Sequence, residues 1–320
     1  MFGELVTIFF ILLSQIGLSA DAKASLANFL EPALPEPEVI VAQPNGDTDM
    51  QLADEIVSSL APLPGKVSDE DDNLFIDARS AVAMDAATKE VLFEQNSNQE
   101  LPMASITKIM TALLVIEEGN LEDIVTVTPE DVIETGSDID LRSGEEISLA
   151  DLLKAALIKS ANDAATTMAR HVGGNSIENF VAMMNEKATE LGLNHTHYVN
   201  PHGFDDSEHY SSAHDIALLM SYAMENEMFR QISSMKEHDA HILNFDERPI
   251  HITATNKLLI KDDNLIEGGK TGFTDEAGEC LVTVAKNPDQ HRIVTVILNS
   301  PDRFGESQKL INYVFNKYEW

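Results

Sequence analysis

The chain has 320 residues, room for one large core or two modest domains. It carries 54 acidic against 21 basic residues, and the formal charge of −33 argues against nucleic acid as a partner, since phosphate would be repelled. Its one cysteine, Cys280, excludes an intramolecular disulfide and is expected to pack in the core.

Residues 5–13 are apolar, and Ala20-Asp21-Ala22 offers a small-residue cleavage site, so residues 1–22 read as a secretory signal peptide or N-terminal anchor. The apolar stretch is short for the ~20 residues of a membrane span. No Lys or Arg precedes Lys23 and Glu4 is acidic, so the usual positive leader is missing. The expectation is export to an extracytoplasmic space, periplasm or cell wall, with cleavage favoured over retention and any membrane association confined to the N-terminus. Residues 23–76, with Pro32, Pro35, Pro37, Pro44, Pro62, Pro64 and the run Asp69-Glu70-Asp71-Asp72, read as an acidic tether in which 50–60 has some helical character. Residues 77–320 are left for the folded domain.

Residues 80–85 and 90–95 bracket Ala86-Ala87-Thr88-Lys89 and predict a hairpin. Residues 105–117 are apolar without Gly or Pro, which predicts a buried helix starting at or just before Ser105. Further helices are predicted over 149–158, 164–171, 176–191 and 213–226. A second hairpin follows over 280–286 and 292–299, turning at Asn287-Pro288-Asp289, and 306–316 predicts a closing helix.

Three short motifs punctuate this pattern: Ser105-Ile106-Thr107-Lys108, Ser160-Ala161-Asn162 and Lys270-Thr271-Gly272. A serine hydroxyl is a poor nucleophile near neutral pH and needs a base within reach. Residues three apart on a helix share a face, so the Lys108 amine can reach back to Ser105, and a serine at a helix N-terminus sits where developing negative charge is favoured. The pattern alone is weak, since Ser233-Ser234-Met235-Lys236 matches it too; that copy lies in a polar stretch and reads as a solvated turn. Taken singly, Ser160-Ala161-Asn162 also fits an inter-helix turn and Lys270-Thr271-Gly272 a surface strand. A phosphate loop is excluded because Asn264 stands where its first glycine belongs.

Together with Pro102-Met103-Ala104 ahead of Ser105, Tyr210-Ser211-Ser212-Ala213, Asn256-Lys257-Leu258-Leu259 and Gly268-Gly269 ahead of Lys270, the motifs resemble the serine-type D-alanyl-D-alanine carboxypeptidases, the low-molecular-mass penicillin-binding proteins of peptidase family S11. The resemblance covers roughly residues 78–318. It implies an α+β fold of the β-lactamase/transpeptidase type, an antiparallel sheet flanked by terminal helices and a helical subdomain, with the third motif on a sheet-edge strand. It implies Ser105 as acylated nucleophile, Lys108 as its base and Ser160 as proton relay to the leaving D-alanine. Asn162 would bind the peptide carbonyl, Lys270 and Thr271 the terminal carboxylate, and the backbone N–H groups of Ser105 and Phe273 would form the oxyanion hole. Gly272 would let the substrate lie against the strand. Peptidoglycan stem peptides are the implied substrate, β-lactams the covalent inhibitors, and no cofactor is needed.

Three other readings stay open. A D,D-endopeptidase of the same family would cut cross-links, and the end of the sequence at Trp320, without a further β-rich domain, fits its shorter members. A class A β-lactamase usually has aspartate where Ala161 stands and needs a deacylating glutamate with no clear counterpart here. An inactive peptidoglycan-binding module would keep the fold and lose the chemistry. His195, His197, His202, His209 and His214 cluster in sequence, but their spacing fits no compact zinc motif and no metal is expected.

Overall fold

The structure is a computed structural model and describes residues 63–67, 74–132, 135–245, 248–261 and 265–320. The expected signal segment and most of the expected tether lie outside the described residues. Among the described residues no helix is long and apolar enough to cross a membrane.

The chain enters through β1 (Gly65–Lys66), then forms the predicted hairpin as β2 (Ser80–Asp85) and β3 (Val91–Gln95). A 3-10 turn (Ala104–Thr107) leads into α1 (Lys108–Glu118), whose residues 108–115 are all buried. Next come β4 (Ile124–Thr126) and β5 (Glu146–Ser148), then α2 (Leu149–Ile158), α3 (Asn162–Val172), α4 (Ile177–Glu190), α5 (Ala213–Ala223) and α6 (Glu227–Ser233). A hairpin of β6 (Glu237–His241) and β7 (Pro249–Thr253) and a single turn, α7 (Lys257–Ile260), precede β8 (Ile266–Thr274). The chain closes with β9 (Gly278–Lys286), β10 (Arg292–Ser300), α8 (Arg303–Lys317) and β11 (Tyr318–Glu319). Ser148, Ser176, Ser212, Asn226, Asn256 and Asp302 each accept a backbone N–H at the start of a helix, a contribution of about 0.5–2 kcal/mol apiece.

Five strands pair antiparallel in the order β3-β2-β10-β9-β8. Alternation splits their side chains between two cores. Val82, Val296 and Val282 align across β2, β10 and β9 and face the helical subdomain, together with Met84, Val284 and Val294. Ala81, Ala83, Leu281, Ile293 and Ile297 face the other way, onto Leu310, Ile311 and Val314 of α8. The inner strands are therefore buried on both faces, which explains their near-continuous apolar runs. This is the expected α+β architecture, and among the described residues the terminal helix covering the sheet is α8. Cys280 is fully buried in β9, and burial pushes its thiol up to about 11.

Several elements depart from the sequence reading. The predicted helix 213–226 ends early, at Ala223, and Asn226 caps a further helix, α6, that was not predicted. Two small sheets, β4–β5 and β6–β7, built from strands of three to five residues, form where no element was predicted. Gly65 and Lys66 pair with Glu319 and Tyr318, while Leu74 and Ile76 pack into the α8 core. The folded unit therefore takes in the end of the segment read as tether. The indole of Trp320 stacks on His291 and donates to Asp85 at the end of β2.

Asp131 and Arg170 form a deeply buried ion pair. Asp131 is fully buried, and its carboxylate accepts Arg170 Nε (2.9 and 3.0 Å) and Nη2 (2.7 Å) and the Thr128 N–H (2.8 Å). Arg170 also donates to Thr126 O and Asn175 Oδ1, so the pair ties the β4 loop to α3.

Candidate active site

Ser105 does not open an α-helix. It lies in the 3-10 turn, and α1 begins at Lys108. With three residues per turn, positions three apart eclipse, and Lys108 stands over Ser105 more directly than an α-turn would place it. Ala104 adopts φ +48°, a left-handed conformation costly for a residue with a Cβ, and such strain persists only where the surroundings enforce it. Two glycines enforce it. A Cβ on Gly203 (φ +97°) would lie 2.0 Å from the Ala104 carbonyl oxygen, and one on Gly272 would meet Met103 O at 2.8 Å and the Ser105 nitrogen at 3.2 Å. Gly272 is thus required by the close approach of β8 to the nucleophile turn, a reason beyond the expected room for substrate.

Lys108 is fully buried, with its Nζ 2.9 Å from Ser105 Oγ, 2.7 Å from Asn162 Oδ1 and 2.6 Å from the His202 carbonyl oxygen. Burial holds its pKa well below the ordinary lysine value, the charge of Lys270 lowers it further, and Asp163 opposes both. A neutral amine has two N–H groups and one lone pair. When Lys108 is neutral, Asn162 Oδ1 and His202 O can accept its two hydrogens, which leaves the lone pair to face the Ser105 hydroxyl.

The second motif occupies the α2–α3 turn. Ser160 takes φ +70° and Asn162 is the first residue of α3, two residues ahead of the predicted start. Asn162 donates its side-chain amide to Thr135 O (3.0 Å) and its backbone N–H to Ser137 O (2.7 Å). The next residue, Asp163, accepts the N–H groups of Ile139 and Leu141 at 3.0 and 3.1 Å, which fastens the same loop to α3. Burial pushes the Asp163 carboxyl up, and its backbone N–H partners pull it back.

The third motif lies on β8, an edge strand as expected. Lys270, almost fully buried, donates to Ser160 Oγ (2.7 Å) and Thr271 O (3.0 Å). Burial, with the Arg303 charge nearby, pushes it down to about 7. Thr271 Oγ1 is 2.6 Å from Thr255 Oγ1, and Arg303 donates to Gly272 O (2.7 Å). The Phe273 side chain is exposed. Two lysines therefore join the motifs: Lys108 bridges the first to the second, and Lys270 bridges the second to the third. A buried amine on a serine hydroxyl, a second hydroxyl held by a second amine, and an open strand edge are parts that an acyl-transfer site needs.

The family model for D-alanyl-D-alanine carboxypeptidases, peptidase S11, matches residues 66–302. The chain belongs to this family. Membership classes it with the serine-type hydrolases that include the penicillin-binding proteins. The D-alanyl-D-alanine carboxypeptidase DacF of Bacillus subtilis is 35% identical over 269 residues, 82% of this chain and 67% of that one. A D-alanyl-D-alanine endopeptidase of Escherichia coli is 31% identical over 242 residues, 73% of this chain and 76% of that one. The crystal structure of the Streptomyces K15 DD-transpeptidase superposes with a TM-score of 0.71 at 28% identity, covering 76% of this chain and 98% of that one. The chain spans 62–67% of the length of the first carboxypeptidase relatives it matches.

The second S-x-x-K copy is not a solvated turn. Ser233 is buried at the end of α6, with its hydroxyl on Arg230 O, while Lys236 is exposed, so the two do not form a reactive pair. The five histidines disperse into separate contacts: His195 N–H on Asp215, His197 Nδ1 at Glu208 O, His214 N–H on Ser97 O, His202 beside Lys108, and His209 at Thr107. Sequence reasoning missed the parts played by His202, His209, Asp163, Thr255 and Arg303, which reach the motifs through contacts with no local pattern.

Proposed function

We propose that the protein is a serine D-alanyl-D-alanine carboxypeptidase that removes the terminal D-alanine from peptidoglycan stem peptides through an acyl-enzyme on Ser105. The observation that carries this reading is the buried Lys108 amine, its Nζ 2.9 Å from Ser105 Oγ and its other partners Asn162 Oδ1 and the His202 carbonyl oxygen. Ser105 Oγ attacks the carbonyl carbon of the penultimate D-alanine as its proton passes to Lys108. The oxyanion is held by the Ser105 and Phe273 N–H groups, while Asn162 orients the peptide carbonyl chain along the Gly272 edge. Collapse breaks the C–N bond, and Ser160, held by Lys270 at 2.7 Å, relays to the departing amine the proton that Lys108 took up. Lys270 and Thr271 hold the terminal carboxylate by charge and hydroxyl. Water then hydrolyses the ester by the same route in reverse. Penicillin would acylate Ser105 and remain there. The substrate lies outside the cytoplasm, so we place the reaction in the periplasm or cell-wall space, reached through the N-terminal signal.

The test is mass spectrometry of products from pentapeptide stems and cross-linked muropeptide dimers, beside a Ser105→Ala control. Free D-alanine from stems alone is the expected result. Conversion of dimers to monomers would favour the endopeptidase reading, which the high coverage of the Escherichia coli endopeptidase supports. No turnover of either, with the control indistinguishable, would leave a binding module.

The two lysines set an expected pH profile. Lys108 must be neutral, so kcat/KM falls as pH drops through its depressed value; Lys270 must be charged, so kcat/KM also falls as pH rises through about 7. A bound carboxylate favours the Lys270 cation, so the descending limb of kcat lies at higher pH than that of kcat/KM. Coincident descending limbs in a pH–rate series would contradict the role given to Lys270.

A further inference from the structure

A buried hydrogen-bond chain starts outside the three motifs, at Val199 and His209, and ends at the nucleophile turn. Val199 donates its N–H to His209 Nδ1 (3.1 Å), so Nδ1 is the bare nitrogen and the neutral ring carries its proton on Nε2. Nε2 lies 2.8 Å from Thr107 Oγ1 and donates to it, and the Thr107 hydroxyl donates in turn to the Ala104 carbonyl oxygen at 2.8 Å. That carbonyl belongs to the peptide unit whose other end is the Ser105 N–H. Gly203 closes the far side of the same unit. His209 is 2% exposed and edge-on to Tyr198. Burial pushes it down to about 4, with Asp206 opposing and His197 and Lys108 adding, so the ring is neutral at working pH and the chain has one direction.

We propose that His209 and Thr107 are positioning residues for the oxyanion hole, holding the Ala104–Ser105 peptide in one orientation and polarising it so that the Ser105 N–H is aimed at the developing oxyanion. The inference rests on the acyl-enzyme reading above. Hydrogen bonds in series strengthen one another, so a donor on the carbonyl makes the N–H at the other end of the peptide a better donor. Neither side chain needs to touch substrate.

The test compares Thr107→Val, Thr107→Ser, His209→Phe and His209→Gln with the wild type, reading acylation and adduct hydrolysis with a fluorescent penicillin and kcat and KM on a D-Ala-D-Ala pentapeptide. Valine keeps the shape of threonine and removes only the link. Losing a whole oxyanion donor costs about 10²–10³-fold, so Thr107→Val should slow both acylation and hydrolysis roughly 10–100-fold, in kcat rather than KM. Thr107→Ser should recover most of the rate, and His209→Gln, which can still donate to Thr107, should exceed His209→Phe. Wild-type rates in Thr107→Val, or a loss borne by KM alone, would overturn the proposal. A wild-type protein that takes no label would overturn the acyl-enzyme reading and this inference with it.

Discussion

Lys108→Met is expected to slow acylation of Ser105 roughly 10²–10⁴-fold, the range general-base removal commonly costs. The methionine fills the buried space but offers no lone pair to the hydroxyl and no donors to Asn162 Oδ1 and His202 O, both within 2.7 Å of the native amine. Stability gives a second readout with a definite sign. Below the ordinary lysine range the unfolded chain holds a proton that the native Lys108 lacks, so wild-type stability rises with pH until the unfolded lysine also titrates. The variant has no such slope. Its stability relative to wild type should therefore fall as pH climbs from the native Lys108 value toward 10.5, the ordinary lysine value. Stopped-flow labelling and denaturation at several pH values check the two halves separately; an unchanged labelling rate would remove Lys108 as the base.

Asp131→Ala is expected to be the most damaging single change away from the site, at about 3–5 kcal/mol. The loss comes less from the missing attraction than from Arg170, whose guanidinium would remain buried with its main partner gone. For a unit of this size that lowers Tm by on the order of 10 °C. Replacing Asp131 and Arg170 together by apolar residues should cost less than the single change, because no unpaired charge is left. Calorimetry of the single and double variants decides it, and a double variant no better than the single one would refute the buried-charge account.

The family, the sheet and the buried α1 were legible because their signals are local: motif spacing, a hairpin turn, and an apolar run without Gly or Pro. The 3-10 turn at Ser105 was not, since its cause is the approach of Gly203 and Gly272 from distant parts of the chain. Asn226 carried a readable cap signal, yet the predicted helix was run through to it; the first helix stops at Ala223, and the one that Asn226 caps was not predicted. His209 illustrates the same limit at the site. In sequence it is one histidine among several in a loop, and only the fold brings it against Thr107. Ser233 shows the converse error, where a polar neighbourhood suggested exposure and the helix end is buried.

Cys280 gives the folded unit a built-in clock. It is the chain's one thiol, it is fully buried, and it pairs across the sheet with Gly272. An alkylating reagent attacks thiolate, which burial suppresses in the native state and unfolding restores. Modification of the thiol is therefore a single-site event that waits for β9 to lose its cover, and its rate reports how often the core beneath the sheet opens.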